Sequence, residues 1–486
     1  MPTVGLLDIS GIQDVIFRSN NLQEIASTSE AIEGLSAPDG LFATVAGENL
    51  LYTAGGNLTL TGSTDEEVAN ILKTVQYELL SRYPNLTAVT ALAPFEEGHL
   101  LQGYQAGMRQ LERRKLTAPR SISLHHPGWQ EPQSSFADEM SDGVGSDQPL
   151  RGHRDLNKII CKVRRGQKSD GLFEKSDLMA VVSVDGLSMG NRIITWMKSA
   201  EERSIPDEEF RVGLSNWSLS VRKRWNAAWE AATSAINSKF DSNLWQHPWQ
   251  ARSLQLKQGG RFPYRKIYQG GDDLSFVCDA HVAMAMATHL VGALEQLDVT
   301  VPIEFQSLTA SVGILYVNNK FPFARANELA GKLQKRAKET SAKETGTRQH
   351  PPSSLTWWLN RQGEMEIAEP TFKGATQRPY LLTGKSPSLF DLLNCALPTL
   401  WKEFGESRSL LKSIIEAAQA GADGEHVARA LKLRSKSSNS TSDNPFASLQ
   451  EPFNTPTGFA DGGLGTILLD AGELYDLYFP LEKGEL

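Results

Sequence analysis

Cysteine is scarce in this chain, and long apolar runs are missing. The 3 Cys among 486 residues, Cys161, Cys278 and Cys395, lie more than a hundred positions apart. No Cys-x-x-Cys pair is therefore present to hold zinc, and no disulfide framework is indicated. The N-terminus lacks the basic-then-apolar order of a signal peptide, and no apolar run approaches the roughly 20 residues that span a bilayer. These absences argue against a secreted or membrane role and predict a cytoplasmic protein.

Basic residues are also few in the first part of the chain. Residues 1–95 contain 3 basic and 11 acidic residues, which accounts for the whole formal charge of −8. The other residues balance at 46 basic and 46 acidic. An anionic partner is therefore expected to contact the later part of the chain. The length suggests about three domains.

The first 95 residues follow the order β-α-β-β-α-β, which is typical of a ferredoxin-like unit. Gly55-Gly56 indicates a hairpin, and the run 65–82 has acids at its start and Arg at its end, which suits a helix dipole. The apolar periodicity predicts a helix within 10–32 and strands at 3–9, 41–46, 50–54, 58–62 and 86–92.

The same order recurs later in the chain, so the sequence predicts an α+β fold with two copies of one unit. The second copy has a strand at 178–185, a helix from Met189, a Gly-Gly hairpin at 267–279, a helix at 281–297 and a strand at 308–317. A helix at 322–343 and an edge strand at 354–359 follow. The predicted domains are 1–95, a linker at 96–172 with a helix at 100–116, 173–368 with a helical insertion at 207–249, and a helical domain at 369–486. Residues 117–154 and 435–445 are expected to be irregular.

The tetrapeptide Gly270-Gly271-Asp272-Asp273 is the most informative feature, because it places two carboxylates at a tight turn between apolar strands. Adjacent acids repel each other unless a cation joins them. Asp185 ends the first strand of the same unit, which a ferredoxin-like sheet places beside the hairpin. The three acids are therefore candidate ligands of Mg²⁺ or Mn²⁺ and candidate catalytic groups for nucleotidyl transfer. The alternative interpretation of the tetrapeptide is a solvated type I′ turn.

Two further features could contact phosphate. The turn at Gly186, Leu187 and Ser188 leads into a helix, and its N–H groups would suit a triphosphate, as Gly270 and Gly271 would by admitting phosphate close to the backbone. Lys332, Lys335 and Lys338 lie on the predicted helix 322–343, and Lys338 is assigned to the nucleotide site. For these lysines a solvated helix face is the competing explanation.

These motifs resemble the large polymerase/cyclase subunit of type III CRISPR effector complexes. The similarity runs from residue 3 to about 365. It is carried by the segments Asp8-Ile-Ser-Gly-Ile-Gln-Asp-Val-Ile-Phe17, Gly55-Gly56-Asn57, Asp185-Gly186, the 270–273 tetrapeptide, Thr309-Ala-Ser-Val-Gly-Ile314 and Lys320-Phe-Pro-Phe323, and Leu359-Asn-Arg-Gln-Gly-Glu364 also fits. The resemblance implies two facing palm domains that bind two ATP molecules and release a cyclic oligoadenylate. It assigns catalysis to Asp185, Asp272 and Asp273. It implies ATP binding without catalysis in the first palm, through Ser10, Gly11, Gly55, Gly56 and Asn57, and guide or target RNA and other effector subunits as partners.

The chain departs from that family's pattern in three respects. None of the 9 His is followed by Asp, so the HD nuclease domain of many members is not expected, nor is single-stranded DNA cleavage by that route. The four-Cys zinc module is also not expected, because 117–154 has His125 and His126 but no Cys. Position 187, where many palms have an acid or Asn, is Leu.

The insertion at 207–249 is rich in tryptophan and has basic residues among its aromatics. Arg222, Lys223 and Arg224 precede Trp225, and Trp229 follows one helical turn later. Such a pattern can stack RNA bases, but an amphipathic helix packed on the palm is the favoured interpretation. The basic stretch 158–168 is equally compatible with RNA phosphates and with a solvated face.

Two other functions remain open from the sequence. A non-catalytic scaffold would hold nucleotide or partner subunits without turnover. A free-standing cyclic dinucleotide synthase would use GTP.

Overall fold

Two sheets with the same strand order organise the molecule. The computed structural model describes residues 1–17, 22–37, 39–83, 86–117, 159–165, 173–174, 177–240, 243–256, 262–301, 305–344, 350–361, 363–367, 376–384, 387–404, 408–419 and 464–481. The expected irregular segment 435–445 and nearly all of 117–154 lie outside these ranges. We call residues 3–117 the first unit and residues 177–359 the second unit.

The first unit contains a four-stranded antiparallel sheet of order β2-β3-β1-β4, which is the ferredoxin-like order. Its strands and helices in chain order are β1 (Thr3–Ser10), α1 (Ile12–Ile16), α2 (Leu22–Leu35), α3 (Leu41–Ala46), β2 (Leu50–Ala54), β3 (Asn57–Gly62), α4 (Asp65–Arg82), β4 (Thr87–Pro94) and α5 (Leu100–Thr117).

Local signals explain why α4 forms where the sequence predicts it. The Thr64 hydroxyl accepts a hydrogen bond from the Glu67 N–H, which caps the first turn. Acidic residues fill that turn and Arg82 ends the last one, as the helix dipole favours. One face of the helix is buried against the sheet, at Val68, Leu72, Val75 and Leu79.

The prediction of a strand at 41–46 is wrong, because this segment is helix α3. Its buried residues are Phe42 and Ala46, which are four positions apart and therefore lie on one face of a helix. Six apolar or small residues carry no period long enough to separate helix from strand, so tertiary packing decides the conformation.

The second unit repeats the sheet order. Its elements, with the two short strands that precede it, are β5 (Lys162–Arg165), β6 (Phe173–Glu174), β7 (Leu178–Gly186), α6 (Met189–Glu202), α7 (Asp207–Lys239), β8 (Leu244–Gln246), β9 (Arg252–Gln255), β10 (Tyr264–Gly270), β11 (Asp273–Asp279), α8 (Ala280–Glu295), β12 (Ala310–Asn318), α9 (Phe323–Lys343) and β13 (Ser354–Leu359). The core order β10-β11-β7-β12 matches that of the first unit, which confirms the predicted α+β fold with two ferredoxin-like units.

Two additions extend this second sheet and its surroundings. Strand β13 pairs parallel to β12, and β14 (Tyr380–Leu381) pairs outside it, so β13 is not the sheet edge that the sequence predicts. Strands β6, β5, β9 and β8 form a separate small sheet. The sequence predicts no strand in this region, only a linker with a helix at 96–172 and a helical insertion at 207–249.

The C-terminal residues pack on the second unit. Their helices are α10 (Leu389–Asp391), a π-helical turn (Leu392–Ala396), α11 (Leu397–Phe404), α12 (Arg408–Gln419) and α13 (Leu464–Leu474). Buried Trp401 and Phe479 belong to the same apolar cluster as Trp245 and the β7 strand. Arg378 links the strand β13 to α13 by pairing with Glu473 and stacking on Trp357. None of the helices in the described ranges has the length and hydropathy that crossing a bilayer requires.

Candidate active site between the two units

The Gly-Gly-Asp-Asp segment forms the turn between β10 and β11. Gly270 pairs with Asp273 across the hairpin, and Asp273 pairs in turn with Asp185 of the neighbouring strand β7. Gly271 has a φ of +63°, a conformation that favours glycine. The sheet register therefore brings together three acids that stand 87 and 88 positions apart in the chain.

The backbone holds these acids close to one another. The Gly186 N–H donates to the Asp272 carbonyl oxygen at 3.0 Å. A Cβ atom at Gly186 would lie 2.8 Å from the Cβ of Asp272, so only glycine permits this approach. Asp185, Asp272 and Gly186 are thus packed together at the end of β7.

The electrostatics of the acids favour a bound cation. Burial and the negative charge of Asp185 raise the pKa of Asp272 to about 6. Burial also raises the pKa of Asp273, as do the charge of Asp272 and a hydrogen bond with Asp185. A cation placed among such carboxylates would relieve their repulsion. Within the described ranges no three His, Cys, Asp or Glu side chains form a ready metal-holding group. The fit to Mg²⁺ or Mn²⁺ therefore rests on the chemistry of the donors, which are all carboxylate oxygens.

Lys338 provides a positive charge beside these acids. Its ammonium lies 2.6 Å from Asp185 Oδ2. Burial lowers the pKa of Lys338, but the hydrogen bond and charge of Asp185 outweigh it, so the pKa is raised and the side chain stays charged. Lys332 instead pairs with Glu328 at the surface of α9. Of the three lysines considered on this helix, Lys332, Lys335 and Lys338, Lys338 is the one that pairs with Asp185.

The turn that begins α6 differs in part from its expected role. The Gly186 N–H is used by Asp272, and the Leu187 N–H donates to the Thr309 carbonyl at 2.8 Å. These two amides therefore already have partners, and the expectation that both are free for phosphate is wrong. Ser188 precedes the helix with a φ of +58° and makes no side-chain cap hydrogen bond. The first-turn N–H groups of residues 189–191 have no acceptor within the helix, as at any helix N-terminus.

The first unit carries the corresponding turn at Gly55, Gly56 and Asn57. Ala54 pairs with Asn57, and Asn57 pairs with Asp8 of β1. By this register Asn57 occupies the position of Asp273, and Gly56 that of Asp272. The first unit therefore lacks both acids of the second hairpin and keeps only the counterpart of Asp185, which is Asp8.

Asp8 also keeps a lysine partner, which sequence reasoning missed. Lys115 Nζ lies 3.3 Å from Asp8 Oδ2, as Lys338 lies beside Asp185. The Ser10 hydroxyl donates to the same oxygen at 3.2 Å, and Gly11 follows with a φ of +77°. Burial lowers the pKa of Lys115, but the combined effect of Asp8 and Glu112 is larger and opposite, so the pKa is raised overall. The sequence signal that could have identified this pair is the basic C-terminal end of α5, because α5 follows β4 in the first unit just as α9 follows β12 in the second.

The two Gly-Gly turns face each other across a cavity of about 230 Å³. A Cβ atom at Gly55 would lie 3.3 Å from the backbone nitrogen of Gly271. The cavity is lined by both turns and by side chains from α2, β10 and α7, among them Glu33, Tyr268 and Arg222. Burial, followed by the charges of Asp273 and Asp272, raises the pKa of Tyr268, which therefore carries its proton.

Helix α7 joins the two units around this cavity. The Asp207 carboxylate accepts hydrogen bonds from the Gly98 and Leu100 N–H groups at 2.8 and 2.9 Å, at the start of α5. Further along, Arg222 donates to the Ser36 carbonyl at 3.0 Å. Trp225 is buried, so it packs in the core and does not present a face to RNA.

The sheet order, the facing turns and the acids define a pair of palm domains, the fold class that includes nucleotidyl cyclases. Residues 178–347 match the family model described as Cas10/Cmr2, second palm domain. This segment spans most of the second unit, so the second unit is similar to the second palm domain of Cas10/Cmr2 proteins, which agrees with the sequence resemblance.

Solved structures show the same fold over nearly the whole chain. Csm1 from T. onnurineus matches with a TM-score of 0.54 and 15% identity, over 97% of this chain and 69% of that one. The apo Csm1-Csm4 cassette matches with a TM-score of 0.54 and 14% identity, over 98% of this chain and 70% of that one. The same cassette in complex with AMPPNP matches with a TM-score of 0.52 and 14% identity, over 97% of this chain and 70% of that one. No curated protein matches the sequence.

Proposed function

We propose that this chain is a nucleotidyltransferase that converts ATP into cyclic oligoadenylates in a type III CRISPR-like defence. The carrying observation is that Asp185, Asp272 and Asp273 meet at the ends of neighbouring strands, and that Asp272 and Asp273 line a cavity whose other side is formed by the Gly55-Gly56 turn of the first unit. Solved structures of similar fold include Csm1-Csm4 complexes with ATP, pppApA, cA3 and cA4, which supports adenine nucleotides as ligands.

The chain's own residues divide into two roles in this reaction. Asp185, Asp272 and Asp273 would hold Mg²⁺ or Mn²⁺, while Lys338 and the first turn of α6 supply positive charge and N–H donors for the triphosphate. When bound, the cation would lower the pKa of the attacking hydroxyl and offset the charge of the leaving group. The first unit, with Asn57 and Gly56 in place of acids, would bind its ATP through Ser10, Gly11 and the Gly55-Gly56-Asn57 turn without catalysing.

The reaction is a phosphoryl displacement. The 3′-oxygen of one ATP bonds to the α-phosphorus of the other, the bond from that phosphorus to the bridging oxygen breaks, and pyrophosphate leaves while the hydroxyl proton passes to water. Repeated transfer and a final intramolecular attack would close the ring.

Labelled ATP tests this proposal directly. The full chain would be incubated with ATP and Mg²⁺ or Mn²⁺, with its guide complex and target RNA where these are required. Asp272→Asn with Asp273→Asn keeps the shape of the turn, and we expect it to abolish product. Glu66→Gln, at an exposed position on α4, is the matched charge-neutralising control. Unchanged product from the double variant would refute the assignment.

Partners and the alternative functions are separated by two further measurements. The similar solved chains include Csm1-Csm4 cassettes, so we propose a smaller effector subunit and guide RNA as partners, to be sought by co-purification. An RNA-free, monodisperse and active protein would instead indicate a free-standing synthase. Tight ATP binding without turnover under any activator would favour a scaffold, and GTP outcompeting ATP for product formation would favour a cyclic dinucleotide synthase.

A further inference from the structure

Asp185 is held from the α9 side by two residues one helical turn apart. The Gln334 amide Nε2 donates to Asp185 Oδ2 at 3.1 Å, and Lys338 contacts the same oxygen at 2.6 Å. Because two donors converge on Oδ2, the plane of the carboxylate is restrained. Neither donor contacts the second carboxylate oxygen, Oδ1, which is therefore available on the side of Asp273, where a cation would bind.

The Gln334 amide is tied to a second partner as well. Its Nε2 also donates to the Ser311 hydroxyl at 2.7 Å, and Ser311 donates to the Asp185 main-chain carbonyl at 3.4 Å. Gln334 is 6% exposed and Ser311 is fully buried. A buried amide with both of its N–H bonds committed has little freedom to rotate. Gln334 and Ser311 therefore fix both the side chain and the backbone of Asp185.

A glycine permits this arrangement. A Cβ atom at Gly313 of β12 would overlap the Ala330 carbonyl oxygen and the backbone nitrogen of Gln334 in α9. Only glycine at this point lets α9 approach the sheet closely enough for Gln334 to reach Asp185. This contact explains two residues of the segment Thr309-Ala-Ser-Val-Gly-Ile314. Ser311 accepts a hydrogen bond from Gln334, and Gly313 leaves room for α9.

The first unit provides an internal comparison. Lys115 pairs with Asp8 there, but the residue one turn earlier on α5 is Leu111, where α9 has Gln334. The sheet partner of Asp8 on β4 is Val89, where the partner of Asp185 on β12 is Ser311. Leu111 and Val89 are buried and apolar. The second unit, which has the acid pair, therefore supports Asp185 with Gln334 and Ser311. The first unit, which lacks the acid pair, has the apolar Leu111 and Val89 at the corresponding positions.

We propose that Gln334 is a positioning residue that orients Asp185 toward the catalytic cation, with Ser311 as its anchor. This inference rests on the proposed function, because it assigns Gln334 to the same metal-dependent site. Hydrogen-bonded partners of metal ligands typically contribute about 10- to 100-fold in metal affinity or activity.

The test is Mn²⁺ binding by the full chain, with free Mn²⁺ followed by electron paramagnetic resonance, first alone and then with AMPPNP. We expect Gln334→Leu to weaken Mn²⁺ binding by about tenfold or more. The Mn²⁺ concentration for half-maximal product should rise by the same factor, while saturating Mn²⁺ restores product. Gln334→Met, which has an unbranched side chain of similar length, provides a second variant in case the first does not fold.

The control removes an equivalent hydrogen bond elsewhere. Gln76 of α4 donates to the Ala88 carbonyl of β4 at 3.1 Å, so Gln76→Leu also deletes a helix-to-strand amide contact. We expect it to leave Mn²⁺ affinity unchanged. Wild-type Mn²⁺ affinity in folded Gln334 variants would overturn the positioning role and leave the proposed function intact. Wild-type protein whose Mn²⁺ binding is absent, or indifferent to Asp272→Asn with Asp273→Asn, would overturn both.

Discussion

Gly55 of the first unit and Gly271 of the second lie so close that a side chain on Gly55 would touch the Gly271 backbone. A Cβ atom at Gly55 would be 3.3 Å from the Gly271 nitrogen and 3.4 Å from its Cα, and both residues have positive φ. The two turns thus approach each other through residues that carry no side chain. The distance between the turns depends on this close approach, and under the proposed function so does the placement of nucleotides between them.

Gly55→Ala tests the contact. The added methyl group would press on the backbone of Gly271, and alanine at φ +56° would strain the turn by about 1 kcal/mol. We expect lower stability and a marked loss of product in the labelled-ATP assay. Gly363→Ala is the matched control, because Gly363 also has a positive φ, +75°, but a Cβ there would meet nothing within 4 Å. Equal losses of product in both variants would contradict the prediction.

Lys338→Met should impair catalysis. The substitution keeps the length of the side chain but removes the charge that compensates Asp185 and, in the proposed reaction, the triphosphate. We expect kcat to fall by roughly 10²-fold, the size of effect seen when one electrostatic stabiliser is removed. Lys332→Met on the same helix deletes only the surface pair with Glu328 and should change kcat little. A kcat within twofold of wild type for Lys338→Met would exclude its role.

Lys115→Met should act on binding and leave chemistry largely intact. Lys115 and Asp8 repeat the pair of the second unit, but the acids needed to hold the cation are replaced there by Gly56 and Asn57. We expect a higher KM for ATP with a nearly unchanged kcat, which is the pattern for lost ground-state binding. Titration calorimetry with AMPPNP should show one of two binding events weakened. A fall in kcat without a change in KM would argue against a binding role.

Asp207→Ala should loosen the link between the units. The Asp207 carboxylate receives the Gly98 and Leu100 N–H groups at the start of α5, so it acts as a helix cap supplied by the other unit. Loss of such a cap costs about 1 kcal/mol. We expect a decrease of that size in the free energy of unfolding by urea. Glu209→Ala, two positions along α7 at an exposed site, should be nearly neutral, and equal effects of the two variants would refute the capping role.

His247 should make stability fall in mild acid. Its Nδ1 accepts hydrogen bonds from the Trp249 and Gln250 N–H groups, and burial, followed by the charge of Arg252, lowers its pKa to about 3. The unfolded chain binds a proton at His247 below a pH of about 6.5 and the folded chain does not, so stability decreases as the pH falls below that value. At pH 5.5 this residue should contribute a loss of roughly 1 kcal/mol relative to pH 7.5.

The comparison with His247→Asn isolates this effect. Asparagine can still accept the two N–H groups, but it does not titrate. The difference in unfolding free energy between pH 7.5 and 5.5 should therefore be smaller in the variant than in wild type. An identical pH dependence in the two proteins would contradict the prediction.

Local sequence signals were sufficient for most elements of the two units. The acids and Thr64 at the start of α4, the apolar strands around Asp185 and the two Gly-Gly turns each act within a few residues, so periodicity and turn chemistry predict them. The prediction of a strand at 41–46 fails because the segment is too short to show a period. The helical spacing of Phe42 and Ala46 becomes informative only when the core against which they pack is known.

The sequence by itself determined which chemical groups are present: two glycine turns, an acid pair in one and an amide in the other, and the repeat that places Asp185 beside the pair. The tertiary structure decided which of these groups meet. Strand register and helix packing bring Lys115 to Asp8, Gln334 to Asp185 and Gly55 to Gly271, and they commit the Leu187 N–H to Thr309. The physical reason is that periodicity and capping act over a few residues, whereas these contacts join residues more than a hundred positions apart and depend on the packing of whole elements.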